Sequence, residues 1–210
     1  FIWYNWDVYR QVNIFSTLIA DNGHNRVLIW NSIPTNHDQA ADLVLGQGDF
    51  VSCVANRGST PTAESLDSPS DVWSDGTRLF VVDYSNNRVL IWNSFPTVNG
   101  QAADLVIGQA DMTSNGLQIS QTGFDQPYYM TSNGNQLFVA DSNNFRIMIW
   151  NSIPAVNNAP ADIVLGQDDF VTATNTGPTV NRFTYPAGIF VYNDQLFVAD
   201  EWRYLIFDWQ

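Results

Sequence analysis

The segment Asn87 to Pro96, NRVLIWNSFP, occurs three times in this chain. Its other copies are Asn25 to Pro34 (NRVLIWNSIP) and Phe145 to Pro154 (FRIMIWNSIP). A second block begins seven positions after each proline: Ala41 to Gln47 (ADLVLGQ), Ala103 to Gln109 (ADLVIGQ) and Ala161 to Gln167 (ADIVLGQ). A third block precedes the first: Leu79 to Asp83 (LFVVD), Leu137 to Asp141 (LFVAD) and Leu196 to Asp200 (LFVAD), with Thr17 to Asp21 (TLIAD) as a worn copy. Self-similarity at a fixed period marks a repeat architecture. The numbers of Asp21, Asp83, Asp141 and Asp200 differ by 62, 58 and 59. One segment carries the variation: Phe50 to Pro69 spans 19 positions, Met112 to Pro127 spans 15 and Phe170 to Pro186 spans 16. The constant part is a structural unit, and the variable part is a loop.

Each unit reads as four strands. Strand a follows the proline, as in Asp71-Val72-Trp73, Tyr129-Met130-Thr131 and Gly188 to Val191. Strand b is the LFVAD block, strand c is RVLIW and strand d is ADLVLG. Turn residues separate a from b (Ser74-Asp75-Gly76, Asn133-Gly134-Asn135, Asn193-Asp194) and b from c (Tyr84-Ser85-Asn86-Asn87). Strands b and c are apolar on both faces, which requires a cover on each. Small four-stranded sheets repeated radially make a β-propeller. The expectation is therefore an all-β fold: a propeller of four-stranded blades, repeats of about 60 residues, three full repeats and a partial fourth. The blades are placed at 15–68, 69–126, 127–185 and 186–210.

Composition agrees with a β-rich, turn-rich chain. The 210 residues hold 21 acids and 8 bases, for a net charge of −13. The acids are 19 Asp and 2 Glu, the bases are all Arg, and there are 22 Asn. Without Lys and almost without Glu, the chain lacks the usual helix-surface residues. Such acidity argues against nucleic acid as a partner. No apolar run approaches the roughly 18 residues of a membrane helix, so a membrane-spanning role is not expected. No basic and then apolar leader opens the chain at Phe1. Cys53 is the single cysteine, so no internal disulfide framework exists. One domain with a sizeable core is expected from this length.

The block LFVAD-x-x-x-N-R-V-L-I-W resembles the NHL repeat, a propeller-blade motif. The extended form with WNSIP and ADLVLGQ-x-D-F is similar to repeats in large secreted or surface proteins of bacteria and archaea. The resemblance covers about residues 15 to 210. It implies a scaffold that binds protein or RNA, a sensor ectodomain or, in a few cases, a metal-dependent enzyme, and fold alone does not choose among these. Family members usually have about six blades, so two closures are open here. Residues 1–14, containing FIWYNW, supply the missing strand d of the last unit. Alternatively the arc stays open, and the segments 1–14 and 200–210 pair with another chain, copies of this one included.

The recurring polar positions carry a functional and a structural reading. Asp21/Arg26, Asp83/Arg88 and Asp141/Arg146, with Asp200 and Arg203 in the last unit, could ring a propeller mouth. Their recurrence in each blade favours bracing of the b–c turn. Trp30, Trp92 and Trp150, with Phe207, are expected to pack blade against blade. Asp42, Asp104 and Asp162 are read as edge-strand charges that block stray pairing. The Gly-Gln pairs at 46–47, 108–109 and 166–167 mark the exit from strand d.

No catalytic constellation emerges. His24 and His37 are the two histidines, too few for the histidine-ringed metal of the amidating lyases that resemble this fold. The chain lacks G-x-S-x-G and the EF-hand spacing, so no metal ligand is assigned; structural calcium remains open among so many Asp and Asn oxygens. No cofactor is expected. Cys53 reads as an ordinary thiol, and no N-x-S/T sequon exists among the Asn residues. Ligand contacts are expected on the variable loops 51–68, 113–126 and 171–185. The leading expectation is a non-enzymatic scaffold, extracellular or at the cell surface, that binds protein or glycan or assembles with itself into a larger surface structure or filament. The alternative is a metal-dependent propeller hydrolase, lactonase or lyase.

Overall fold

Among the described residues strand pairing is wholly antiparallel and runs in chain order. The computed structural model describes residues 16–208 apart from 178, 194 and 202. The first sheet contains β1 (Thr17–Asp21), β2 (Arg26–Trp30) and β3 (Leu43–Leu45). The second contains β4 (Pro69–Ser74), β5 (Leu79–Asp83), β6 (Arg88–Trp92) and β7 (Leu105–Ile107). The third contains β8 (Pro127–Ser132), β9 (Leu137–Asp141), β10 (Arg146–Trp150) and β11 (Ile163–Leu165). The fourth contains β12 (Pro186–Tyr192), β13 (Gln195–Asp200) and β14 (Arg203–Asp208). The fold is thus all-β, with the described residues in four separate sheets of three or four strands. Residues 1–14, expected as a closing strand, lie outside the described residues, as does Trp202.

The middle strands follow the sequence blocks to the residue. Leu79 pairs with Trp92, Leu137 with Trp150 and Leu196 with Phe207. Successive side chains point to opposite faces. Leu79, Val81, Leu90 and Trp92 therefore face the first sheet and share a core with Leu18, Val27 and Ile29. Phe80, Val82, Val89 and Ile91 face the third sheet and share a core with Leu137, Val139, Met148 and Trp150. Phe138, Ala140, Ile147 and Ile149 meet Ile189, Leu196 and Val198 of the fourth. Each sheet thus has a forward face and a backward face, and this explains the doubly apolar runs. The first strands β1, β4, β8 and β12 lie next to one another in that order.

Strand d is shorter than the sequence suggests. β3, β7 and β11 begin after Asp42, Asp104 and Asp162, so these aspartates are not edge-strand charges. Each is a turn cap instead: Oδ2 accepts the backbone N–H of Asn31, Asn93 or Asn151 at 2.7–2.8 Å. An Asp is selected because it holds the loop between strands c and d closed at its base. Gly108, directly after β7, has φ +88°, and a Cβ there would strike the Phe124 ring and sit 2.9 Å from the Asn87 carbonyl. Glycine is required at that exit by conformation and by space.

Candidate functional site

The repeated polar residues hold the turns beside the strands that line the site. Arg88 Nε donates to Asp83 Oδ2 at 2.7 Å, with both side chains fully buried. The other oxygen of Asp83 accepts the Asp67 N–H, and Asn86 Nδ2 donates to Oδ2. The remaining guanidinium donors reach the carbonyls of Met112, Thr62 and Ser65. Arg146 repeats this with Asp141 at 2.7 Å and the carbonyls of Phe170, Ser120 and Gly123. Arg26 pairs with Asp21 at 2.8 Å in a more open setting. Burial pushes the Asp141 carboxyl up to about 6, against the pull of Arg146. Asp200 accepts the N–H groups of Thr184 and Tyr185. The structure brings each described pair together at the turn between strands b and c, where the arginine holds the variable segment to its own sheet.

The tryptophans take matching positions. Trp30, Trp92 and Trp150 Nε1 donate to the carbonyls of Gln39, Gln101 and Ala159. The Trp150 ring meets Phe124 edge to face with centroids 6.1 Å apart, and Phe207 meets Phe183 at the same distance. Leu66, Phe124 and Phe183 belong to the variable segments, yet they are buried in the three cores. Other parts of loops 51–68, 113–126 and 171–185 are exposed, with Val51, Leu117, Val171 and Val180 open to solvent. Cys53 is exposed and free.

A cleft of about 200 Å³ opens where the first strands of three sheets converge. Ala20 and Asn22 line it from the first sheet, Ser70, Asp71 and Val72 from the second, and Tyr128 and Tyr129 from the third. Asp71 is 6% exposed. Its Oδ1 accepts the Val72 N–H and its Oδ2 the Met130 N–H, both at 2.9 Å, so the carboxyl ties β4 to β8. No salt bridge reaches it among the described residues. Burial raises its pKa to about 7, against those two hydrogen bonds.

Aromatic rings extend the cleft. Tyr128 lies 5.1 Å from Tyr129, 5.6 Å from Tyr84 and 6.3 Å from Tyr185, centroid to centroid. Tyr84 donates its hydroxyl to Gln126 Oε1 at 2.8 Å. Burial pushes the Tyr185 hydroxyl up to about 12, and Tyr84 and Tyr128 add to the effect. Burial also raises the Tyr84 and Tyr129 hydroxyls, so these two and Tyr185 stay neutral donors and acceptors across the physiological range. Among the described residues no three His, Cys, Asp or Glu side chains gather as metal ligands.

The sequence reading singled out none of these cleft residues as a site. A signal was present. Strand pairing aligns Asp71, Tyr129 and Gly188 at one position of the unit, opposite Val82, Ala140 and Ala199. Tyr84 similarly aligns with Asn22 and Ser142 at the start of the turn. Positions that change while their neighbours repeat are candidates for use rather than for scaffolding. No protein-family model matches this chain, and no curated protein matches it.

Proposed function

We propose that this chain is an NHL-like β-propeller that acts without catalysis, as a binding and assembly scaffold outside the cell. The observation that carries this reading is the forward face of the fourth sheet. Phe197 and Ile206 there occupy the positions of Phe80 and Ile91, which are buried against the third sheet. Yet Tyr204 is 89% exposed and Ile206 61% exposed, with Phe190 and Tyr192 open beside them. Monomeric proteins rarely expose a contiguous apolar patch of this kind. The face continues an interface that the chain already makes three times, so its fitting partner is another such sheet. The first sheet carries the matching backward residues: Thr17, Ile19, Leu28 and Trp30 stand where Leu79, Val81, Leu90 and Trp92 stand in the second. On this reading a second copy is the partner, docked head to tail, and contacts of that kind build rings or filaments. The acidic, Lys-free, Asn-rich surface supports an exposed location.

Native mass spectrometry tests this. The expected result is a species above the 23.6 kDa chain mass that reverts to 23.6 kDa in Ile206→Asp, with unchanged circular dichroism. A parent chain that runs only as a monomer overturns assembly as the function.

A further inference from the structure

We propose that the cleft at the first strands binds a small primary ammonium ion, with Asp71 as its counter-charge and Tyr128 and Tyr129 as its walls. The site is independent of the assembly face. Its chemistry follows from what each polar group has left to offer. Asp71 accepts one backbone N–H on each carboxyl oxygen. A carboxylate oxygen accepts two hydrogen bonds, so one acceptor position stays free on each. Asn22 Nδ2 donates to the carbonyls of Ser68 and Pro69, at 3.0 and 3.3 Å, and its Oδ1 is left to accept. Ser70 Oγ donates to the Pro127 carbonyl at 3.5 Å, and its lone pairs are left to accept. The Asn22 and Ser70 side chains have committed their donors and kept acceptors, while the Tyr128 and Tyr129 hydroxyls can donate or accept. A ligand that brings donors and positive charge matches the free acceptor positions on Asp71 and Asn22.

An organic cation fits better than a bare metal ion. Calcium takes six to eight oxygens, usually with several carboxylates. Here one carboxylate serves the whole cleft. Two tyrosine rings border it, and aromatic faces attract ammonium groups while covering an alkyl stem. The contrast with the other buried aspartates is informative. Asp83 and Asp141 each carry their own arginine at 2.7 Å. An unpaired buried carboxylate is costly unless a cation completes it. Asp71 also sits at the position that the repeat does not conserve between units, occupied by Tyr129 and Gly188 elsewhere. The net charge of −13 draws cations to the whole molecule.

Butylammonium chloride is the probe, titrated at pH 8 and followed by NMR of the Met130 and Val72 amides. Tetramethylammonium is matched to it in charge but lacks N–H donors, and 1-butanol is matched in length but neutral. Saturable shifts are expected with butylammonium, at least tenfold weaker binding of tetramethylammonium, and none with butanol. Asp71→Asn should weaken butylammonium at least tenfold. Tyr129→Leu keeps the carboxylate and should weaken it severalfold, which guards against a folding defect in the first variant. Nα-acetyl-lysine amide as a second probe separates a peptide lysine from a free amine by which binds tighter. Absence of saturation, or equal affinity in Asp71→Asn, overturns the proposal. Calcium shifting these amides where butylammonium does not overturns it in favour of a metal.

Discussion

Asn99 in the second unit accepts a hydrogen bond from the backbone N–H of Val44 in the first, at 3.1 Å. The Val44 carbonyl in turn accepts the Gly100 N–H at 2.8 Å. Asn157 and Asn158 repeat the arrangement on Val106, at 3.0 and 2.9 Å. Val44 and Val106 lie on β3 and β7, the last strands of their sheets. The loop of one unit thus closes the open edge of the unit before it, which removes a template for stray strand pairing.

Truncating such a cap leaves a shielded N–H without a partner, because Val106 is buried. Asn157→Ala should lower stability by about 1–2 kcal/mol. Val156→Ala, one residue away and exposed, should change it by less than about 0.5 kcal/mol. Urea denaturation midpoints of the two variants check this. Equal midpoints would mean that water replaces the cap.

The arginines should separate by burial. Removing one partner of a buried pair leaves an uncompensated charge, so Arg88→Met should cost about 3–5 kcal/mol. Arg26 makes the same contact to Asp21 with both side chains partly in solvent. Arg26→Met should therefore cost about 1 kcal/mol or less. Thermal melts of both variants, side by side, check the ranking. A similar loss in each would show that the carbonyl contacts, not the charge, carry the role.

Strands b and c were legible because their pattern is local. Phe80 and Val82 on one face and Leu79 and Val81 on the other can be read from five consecutive letters. The Asp–Arg pairs were legible because Asp83 and Arg88 flank one short turn. Strand d was overread: Asp42 lies beside the apolar run in sequence, but its carboxyl turns back to Asn31. The cleft was not legible at all. Asp71 is joined to Met130 across 59 positions, and Asn99 to Val44 across 55. Contacts between units leave no periodic trace within one unit, and a residue present once leaves no repeat to notice.

Phe145 occupies a place built for asparagine. The turn after β9 ends in a left-handed residue, φ 55°, as do Asn25 and Asn87 at φ 53° in their units. Asparagine tolerates that conformation far better than phenylalanine. Asn87 also uses its side chain, accepting the Gln126 N–H and donating to the Asn115 carbonyl. Phe145 can do neither. Phe145→Asn should raise stability by about 1 kcal/mol, read as a shift of a few degrees in Tm. A lower Tm would mean that the ring contributes packing that outweighs the strain.

Asp71 should make stability depend on pH with a definite sign. Its ordinary pKa is 3.8, and burial raises it to about 7 in the folded chain. Below 3.8 both states hold the proton, and the buried group is neutral. Between 3.8 and 7 the folded state keeps a proton that the unfolded state has released, so stability falls as pH rises. Above 7 the fall is complete. A tenfold change in proton affinity is worth about 1.4 kcal/mol, so the loss is on the order of 1–4 kcal/mol. Tyr128 and Tyr129 are the titratable side chains lining the cleft beside it, and burial together with Asp71 itself holds the Tyr129 hydroxyl above its usual range. The Tyr129 hydroxyl therefore does not ionise in this window. Asp71→Asn carries no proton to exchange, and other carboxyls, Asp141 among them, cancel in a comparison of the two chains. The variant should therefore gain on the parent steadily from pH 4 to pH 8, whatever their offset at pH 4. Urea midpoints for both chains at pH 4, 6 and 8 measure this gain. A gap that stays constant across the series would show that water reaches the carboxyl and relieves its burial.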